Sequence, residues 1–375
     1  MRLIKRKLLF CSILLLISLF IYIRQFSEST PTIKDGYGNK KPESITLLEK
    51  VELGGMDQWI QIRGNHVSNP ILLWLHGGPG SAQMPVAHYF NGALEKDFIV
   101  VHWDQRGAGK SNPSDFDEST ITFEQFLDDA HDLTQYLKKR FNREKIYLVG
   151  HSWGSQLGII LASTYPDDYY AYVGVSQVVD NRTSNEIAYG WLQEQIKKNG
   201  KQRELDNLKK LGSPPFIDHE TFVKFIKMID SYGGGMDVGI GKLALIALRS
   251  PEYRLSDFIA WIKGSSRGSG PMWESSQSFG LIREIPRLIV PVYFFSGRND
   301  YNTPLQLVNE YLENLDAPNG KELVIFEKSS HTPFMGEPEK FNREMVRVKE
   351  KTFQLDEIDT NSTETENSIR NKEKP

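Results

Sequence analysis

The sequence predicts an α/β fold, a mostly parallel sheet with helices on both faces and an inserted helical cap. Three observations predict it. Short apolar runs bounded by turn residues recur between stretches of helical periodicity. One such run passes through Gly150-His151-Ser152-Trp153-Gly154 into a helical stretch. The strand signal then disappears between Gln177 and Glu284 before it resumes. Runs this short suit strands buried on both faces, and their alternation with helices is the pattern of a doubly wound sheet.

Taken in order, residues 8–23 are uncharged and mostly Leu, Ile and Phe, with Arg2, Lys5, Arg6 and Lys7 before them and Arg24 after. Residues 1–24 therefore read as a targeting element, favoured as a signal anchor whose flanking cations extend a run slightly short of the roughly 20 residues a span needs. The basic cluster places the N-terminus inside and the body extracytoplasmic; cleavage would leave a secreted protein. This segment is the one expected membrane contact. Residues 25–42 read as a tether. Residues 44–64 alternate polar and apolar around Gly54-Gly55 and predict an antiparallel hairpin at the sheet edge. The first part of the core spans 43–178, with strands at Ile71–Leu75, Phe98–Trp103, Ile146–Val149 and Tyr172–Val175 and helices over Thr122–Phe141 and Ser155–Tyr165. A helical cap over 179–285 carries helical stretches at Glu186–Lys198 and His219–Ser231, with glycine-rich breaks at Gly233-Gly234-Gly235 and Gly264–Gly270. The core resumes over 286–352 with strands at Val290–Phe295 and Leu323–Phe326. Residues 353–375, almost without apolar side chains, read as a disordered tail.

Charge and cysteine content exclude several function classes. The net charge is −3, and the basic residues of the first 24 positions account for +5, so the remainder is acidic, at −8. Such a body is no partner for nucleic acid. Cys11 is the one cysteine, so neither an intrachain disulfide nor a cysteine-built zinc site is available. No metal-ligand or cofactor motif is present, and Gly107-Ala108-Gly109 lacks phosphate-loop spacing.

The chemistry concentrates at strand ends. A glycine-bracketed serine between strand and helix is a nucleophile elbow, whose tight turn lifts the Ser152 hydroxyl above the sheet. Serine needs a base. His331, directly after the last strand and the only histidine beyond His219, is the candidate. Asp300, after the penultimate strand, is the candidate acid, with Asp180 as the alternative. The chain order Ser, Asp, His fits a triad built on this kind of sheet. An oxyanion needs fixed backbone donors; the amides of Trp153 and of Gly78, within His76-Gly77-Gly78-Pro79-Gly80, are the candidates. His76 is expected to hold that loop by hydrogen bonds. In Trp103-Asp104-Gln105-Arg106, Asp104 and Arg106 are read as a buried ion pair or hydrogen-bond cluster.

Together, His76–Gly80, Trp103–Ser111 and Gly150–Gly154 resemble the proline iminopeptidase family of α/β-hydrolases over residues 43–178 and 286–352. The resemblance implies a serine aminopeptidase that releases N-terminal residues, proline-type, from short peptides, with cap glutamates binding the free amine. The family's cap motif is only echoed here, by Met272-Trp273-Glu274 and by Glu186, and this leaves the substrate open. A carboxylesterase or amide hydrolase on the same core, acting on a small ester, is the alternative.

Overall fold

In the computed structural model, positions 6, 10 and 12 and residues 28–353 are described, apart from the side chains of residues 265–267, 274 and 275. Eight strands form one sheet: β1 (Ile45–Leu53), β2 (Met56–Gly64), β3 (Ile71–Leu75), β4 (Ile99–Asp104), β5 (Ile146–His151), β6 (Tyr169–Val175), β7 (Val292–Gly297) and β8 (Lys321–Phe326), in the order β1-β2-β4-β3-β5-β6-β7-β8. β2 runs antiparallel to both β1 and β4, and the remaining pairs are parallel. The expected hairpin is present, turning at Gly54-Gly55. β4, β5 and β7 extend past their apolar runs into polar residues, because ladder pairing continues there: Gly150 opposes Gly174 and His151 opposes Val175.

Period-two alternation on doubly covered strands explains the apolar runs. Ile71, Leu73, Leu75 and Leu148 face one side, against Phe126, Leu133 and Leu137 of helix α2 (Phe123–Phe141) and Leu157 and Leu161 of α3 (Trp153–Thr164). Leu72, Trp74, Tyr147 and Val149 face the other, against Val86 and Phe90 of α1 (Met84–Asn91) and Phe341, Met345 and Val348 from the closing helix over residues 338–353. Helix α2 starts where the Thr122 hydroxyl accepts from the Gln125 amide and stops at Asn142, in the left-handed region at φ 50°.

Between β6 and β7 the chain is helical: α4 (Asn181–Lys198), α5 (Gln202–Leu211), α6 (His219–Ser231), α7 (Ile240–Ala247), α8 (Leu255–Ser269), α9 (Trp273–Gln277) and α10 (Leu281–Glu284). Part of this insertion has its own apolar centre, with Leu192, Ile196, Leu208, Phe225 and Ile229 fully buried. Gly264 and Gly268 do not form the break read from the sequence, because α8 runs through both. They lie against backbone: a Cβ at Gly264 would come 2.7 Å from the Gly80 oxygen, and one at Gly268 2.7 Å from Pro79.

The membrane expectation is corrected. Among the described residues no helix is long and apolar enough to cross a membrane. Membrane anchoring and the extracytoplasmic placement that rested on it are withdrawn. Apart from positions 6, 10 and 12, the segment 1–27 lies outside the described residues, as does the tail from 354 onward. The start of the stretch read as a tether is tied down: Thr30 donates to Glu252 (2.9 Å), and Glu28 accepts from Lys110 (2.7 Å).

Candidate active site

The site grows from the end of β5. Ser152 has φ 52° and ψ −121°, a backbone that L-residues rarely hold, and the next residue opens α3. Two glycines permit the turn. A Cβ at Gly150 would meet the Gly154 oxygen at 2.2 Å, and one at Gly154 the Leu75 oxygen at 2.3 Å. The Ser152 amide donates to Val175 (3.0 Å), and the Ser155 hydroxyl to the Ser152 carbonyl (2.6 Å).

His331 follows β8 and Asp300 follows β7. The structure brings both to Ser152: His331 Nε2 lies 2.9 Å from Ser152 Oγ, and its Nδ1 lies 3.0 and 3.1 Å from the two Asp300 oxygens. Asp300 is 2 % exposed and also accepts from the Asn302 amide (2.9 Å) and from the Thr303 amide and hydroxyl (2.9 and 2.7 Å). The His331 carbonyl accepts from His151 Nε2 (2.9 Å) and Ser176 Oγ (3.0 Å). Asp180 is elsewhere employed: its carboxylate caps α4, accepting from the Thr183 amide at 2.7 Å.

Electrostatics order the row. Burial alone would depress the His331 imidazole; the Asp300 carboxylate in contact with it, with Asp230 and Asp237 beyond, outweighs burial and holds its pKa above the ordinary histidine value. Burial would raise Asp300, but its partners His331 and Thr303 hold it below the ordinary carboxylate range. His151, with no such carboxylate in contact, is pushed down to about 3 by burial and stays neutral.

The glycine loop after β3 abuts this turn, since a Cβ at Gly77 would sit 3.2 Å from the Ser152 Cβ. Gly78 has φ 118°, which disfavours any side chain. His76 Nε2 accepts from the Gln105 amide (3.2 Å), so Nδ1 carries the proton and donates to the Gly77 carbonyl (2.8 Å). Burial lowers His76 to about 4, so it is a neutral brace of the loop, as expected. Trp153 is the first residue of α3, where amides lack intrahelical acceptors. Gly78, on the glycine loop, and Trp153, at the start of α3, thus flank Ser152 in the two segments that meet there.

Asp104 and Arg106 do not pair with each other, which corrects the ion-pair reading. Arg106 reaches Asp129 on α2 (2.9 and 3.0 Å), while Asp104 accepts from the Tyr253 hydroxyl and the Lys110 amide (2.8 Å). β4 ends at Asp104, and the turn that follows carries Arg106 away towards α2, so each side chain finds its partner on a different element. Glu186 lies half exposed beside Arg182 on the cap surface, and the Glu274 side chain is outside the described residues. Residues that sequence reasoning missed include Thr303, three residues after Asp300, and Ser176 and Asp237, which support the row from positions remote in the chain; only the turn composition of Thr303-Pro304 hinted at one of them. Among the described residues no group of three or more His, Cys, Asp or Glu is placed to hold a metal ion.

Comparison with known proteins agrees with this architecture. Residues 70–338 match the family model for the alpha/beta hydrolase fold. The Bacillus subtilis (strain 168) protein named "Probable aminopeptidase YbaC" is 32% identical over 311 residues, which cover 81% of this chain and 96% of the relative. A proline iminopeptidase of Heyndrickxia coagulans is 27% identical, over 77% of this chain and 93% of the relative. Among solved structures, a proline iminopeptidase of Mycobacterium smegmatis superposes with a TM-score of 0.59 at 20% identity, over 82% of this chain and all of that one. The chain belongs to the α/β-hydrolase family, is a hydrolase of that fold, and within the family is similar to the proline iminopeptidases.

Proposed function

We propose that this chain is a serine aminopeptidase that releases N-terminal residues, proline-type, from short peptides through an acyl-enzyme. The observation that carries the serine mechanism is the row from Ser152 Oγ through His331 to Asp300, with every hydrogen bond between 2.9 and 3.1 Å. The peptidase assignment draws on the named aminopeptidase that matches over nearly its whole length.

In this reading His331 Nε2 takes the Ser152 proton as Oγ attacks the scissile carbonyl carbon. The negative charge that develops on the carbonyl oxygen faces the amides of Gly78 and Trp153. Asp300 keeps the Nδ1 proton in place and stabilises the imidazolium. The imidazolium then protonates the leaving amine, the C–N bond breaks and the acyl-enzyme remains. Water, deprotonated by His331, attacks the ester, and Ser152 leaves with its proton restored.

The triad is indifferent to the leaving group, so substrate choice lies with the cap. A panel of prolyl arylamides, other aminoacyl arylamides, their N-blocked forms and short acyl esters, run with wild type and Ser152→Ala, tests the reading. The expected outcome is cleavage of free-amine substrates, loss of cleavage on N-blocking, and loss of all activity in Ser152→Ala. Equal rates on blocked substrates, or short esters turned over much faster than any arylamide, would replace the peptidase assignment with the carboxylesterase or amide-hydrolase alternative.

A further inference from the structure

We infer that Asp237, a residue of the cap, is a positioning residue for the base, so that the insertion holds His331 in line with Ser152; this rests on His331 being the base. The glycine segment between α6 and α7 runs directly along the His331 loop. Asp237 Oδ1 accepts from the Ser330 amide (2.6 Å), and Oδ2 accepts from the Thr332 amide (2.8 Å) and hydroxyl (2.9 Å). The Asp237 amide in turn donates to the Thr332 hydroxyl (3.0 Å). Between these contacts the His331 amide donates to the Gly235 carbonyl (2.9 Å), so three consecutive amides of the loop are spent on the cap. The Ser330 hydroxyl adds a further bond, to the Gly233 carbonyl (2.7 Å).

The same segment reaches the acid. The amide of Tyr301, next to Asp300, donates to the Gly234 carbonyl (2.8 Å). Residues 233–237 therefore bridge the loop that carries the acid and the loop that carries the base. Packing there is tight, since a Cβ at Gly336 would come 2.9 Å from the Asp237 carboxylate. The core holds the His331 backbone by its carbonyl, through Ser176 and His151. Its amide and both neighbouring amides are held by the cap, so where the cap sits fixes where the imidazole sits.

Asp237 also contributes charge. The charged and titratable groups facing His331 are Asp300 from the core, Asp230 and Asp237 from the cap, and neutral His151 from β5. Burial pushes the Asp237 carboxyl above its ordinary range, while the Ser330 and Thr332 donors oppose that shift. Its negative charge favours the imidazolium that forms during attack, so removing it lowers the His331 pKa. An amide at this position has one acceptor oxygen where two are used, so the loop also loses its grip.

The experiment compares wild type, Asp237→Asn and Thr332→Val on one cleaved substrate, with competent serines counted by a serine-directed phosphonate. For Asp237→Asn, kcat per labelled site is expected to fall about 10- to 100-fold, the scale of a 1 Å misplacement. KM should change less than kcat, and the acidic limb of kcat/KM should move to lower pH. Thr332→Val keeps the carboxylate and loses one of its bonds; its kcat should fall by a smaller factor with the limb unmoved, and it carries the test alone if Asp237→Asn does not fold. Wild-type enzyme that does not react with the phosphonate would defeat the serine-hydrolase reading itself. Wild type that reacts, beside Asp237→Asn with unchanged kcat per site and an unmoved limb, or Thr332→Val with unchanged kcat where only that variant folds, overturns the role of Asp237 alone.

Discussion

Ser152 illustrates a single residue whose surroundings are dictated locally. A non-glycine backbone at φ 52° costs of order 1–3 kcal/mol and persists only where the structure enforces it. The enforcement comes from Gly150, Gly154, the strand before them and the helix after, all contiguous in the chain, so this part of the site was legible. Asp300 and His331 were legible through chain order and position after a strand. Asp104 was not, because its partners Tyr253 and the Lys110 amide arrive from the cap and from a loop that its own strand-end neighbours do not announce. Burial pushes the Asp104 carboxyl up to about 7, against the pull of those donors. The unfolded chain titrates near 3.9. Between about pH 4 and about pH 7 the native state therefore binds more protons than the unfolded state, and the Asp104 contribution to stability falls as pH rises through that window. Asp104→Asn removes this slope. The expected result is a difference in Tm, variant minus wild type, that grows from pH 5 to pH 8 in thermal melts. A difference that stays flat across that range would show that Asp104 is ionised throughout.

Helix α8 shows how an element acquires a role that its own sequence conceals. Its glycines read as a break, yet they are the surface on which the helix presses against Pro79 and Gly80 of the loop that carries Gly78. Gly268→Ala adds a Cβ 2.7 Å from the Pro79 backbone, so either helix or loop must move. Alanine gains up to about 1 kcal/mol of helix propensity over glycine, which offsets part of the strain in stability. The displaced loop has no such compensation, since donors for a developing oxyanion act only when placed to within a fraction of an ångström. Gly268→Ala is expected to lower kcat/KM by about 10-fold or more with little change in Tm; the reverse, a lower Tm with unchanged kcat/KM, would show that the contact serves packing alone. Other elements could be read directly. The apolar stripe of Phe126, Ala130, Leu133 and Leu137, and the alternation of Leu72 and Trp74 with Leu73 and Leu75, are local periodicities that burial reproduces. What periodicity cannot encode is contact between elements, and there α8 and the 233–237 segment escaped the sequence.

At the scale of the whole molecule, the cap and the sheet are joined by a stretch that precedes both. Thr30 shares the buried Glu252 carboxylate with Gln61 (2.7 Å) and Ser250 (2.6 Å), and it accepts from Arg63 (2.7 Å). Two residues earlier, Glu28 meets Lys110 from the core and Arg254 from the cap, while Asp257 at the start of α8 meets the same Lys110 nitrogen at 2.7 Å. The Lys110 side chain is 1 % exposed, and these two carboxylates pair directly with its ammonium. Glu28 and Asp257 are each about one-fifth exposed, which moderates the cost of losing either one. Glu28→Gln and Asp257→Asn are each expected to cost about 1–2 kcal/mol, a drop in Tm of roughly 2–6 °C for a chain of this size. The double variant should cost more than their sum, because either carboxylate alone partly satisfies Lys110 and removal of both takes away every carboxylate among the described residues that pairs directly with this buried cation. Denaturant unfolding of the four proteins checks this. Costs that add to within about 0.5 kcal/mol would mean that Lys110 is compensated independently at each carboxylate, and that the segment from Glu28 to Pro31 lies on the cap without fastening it.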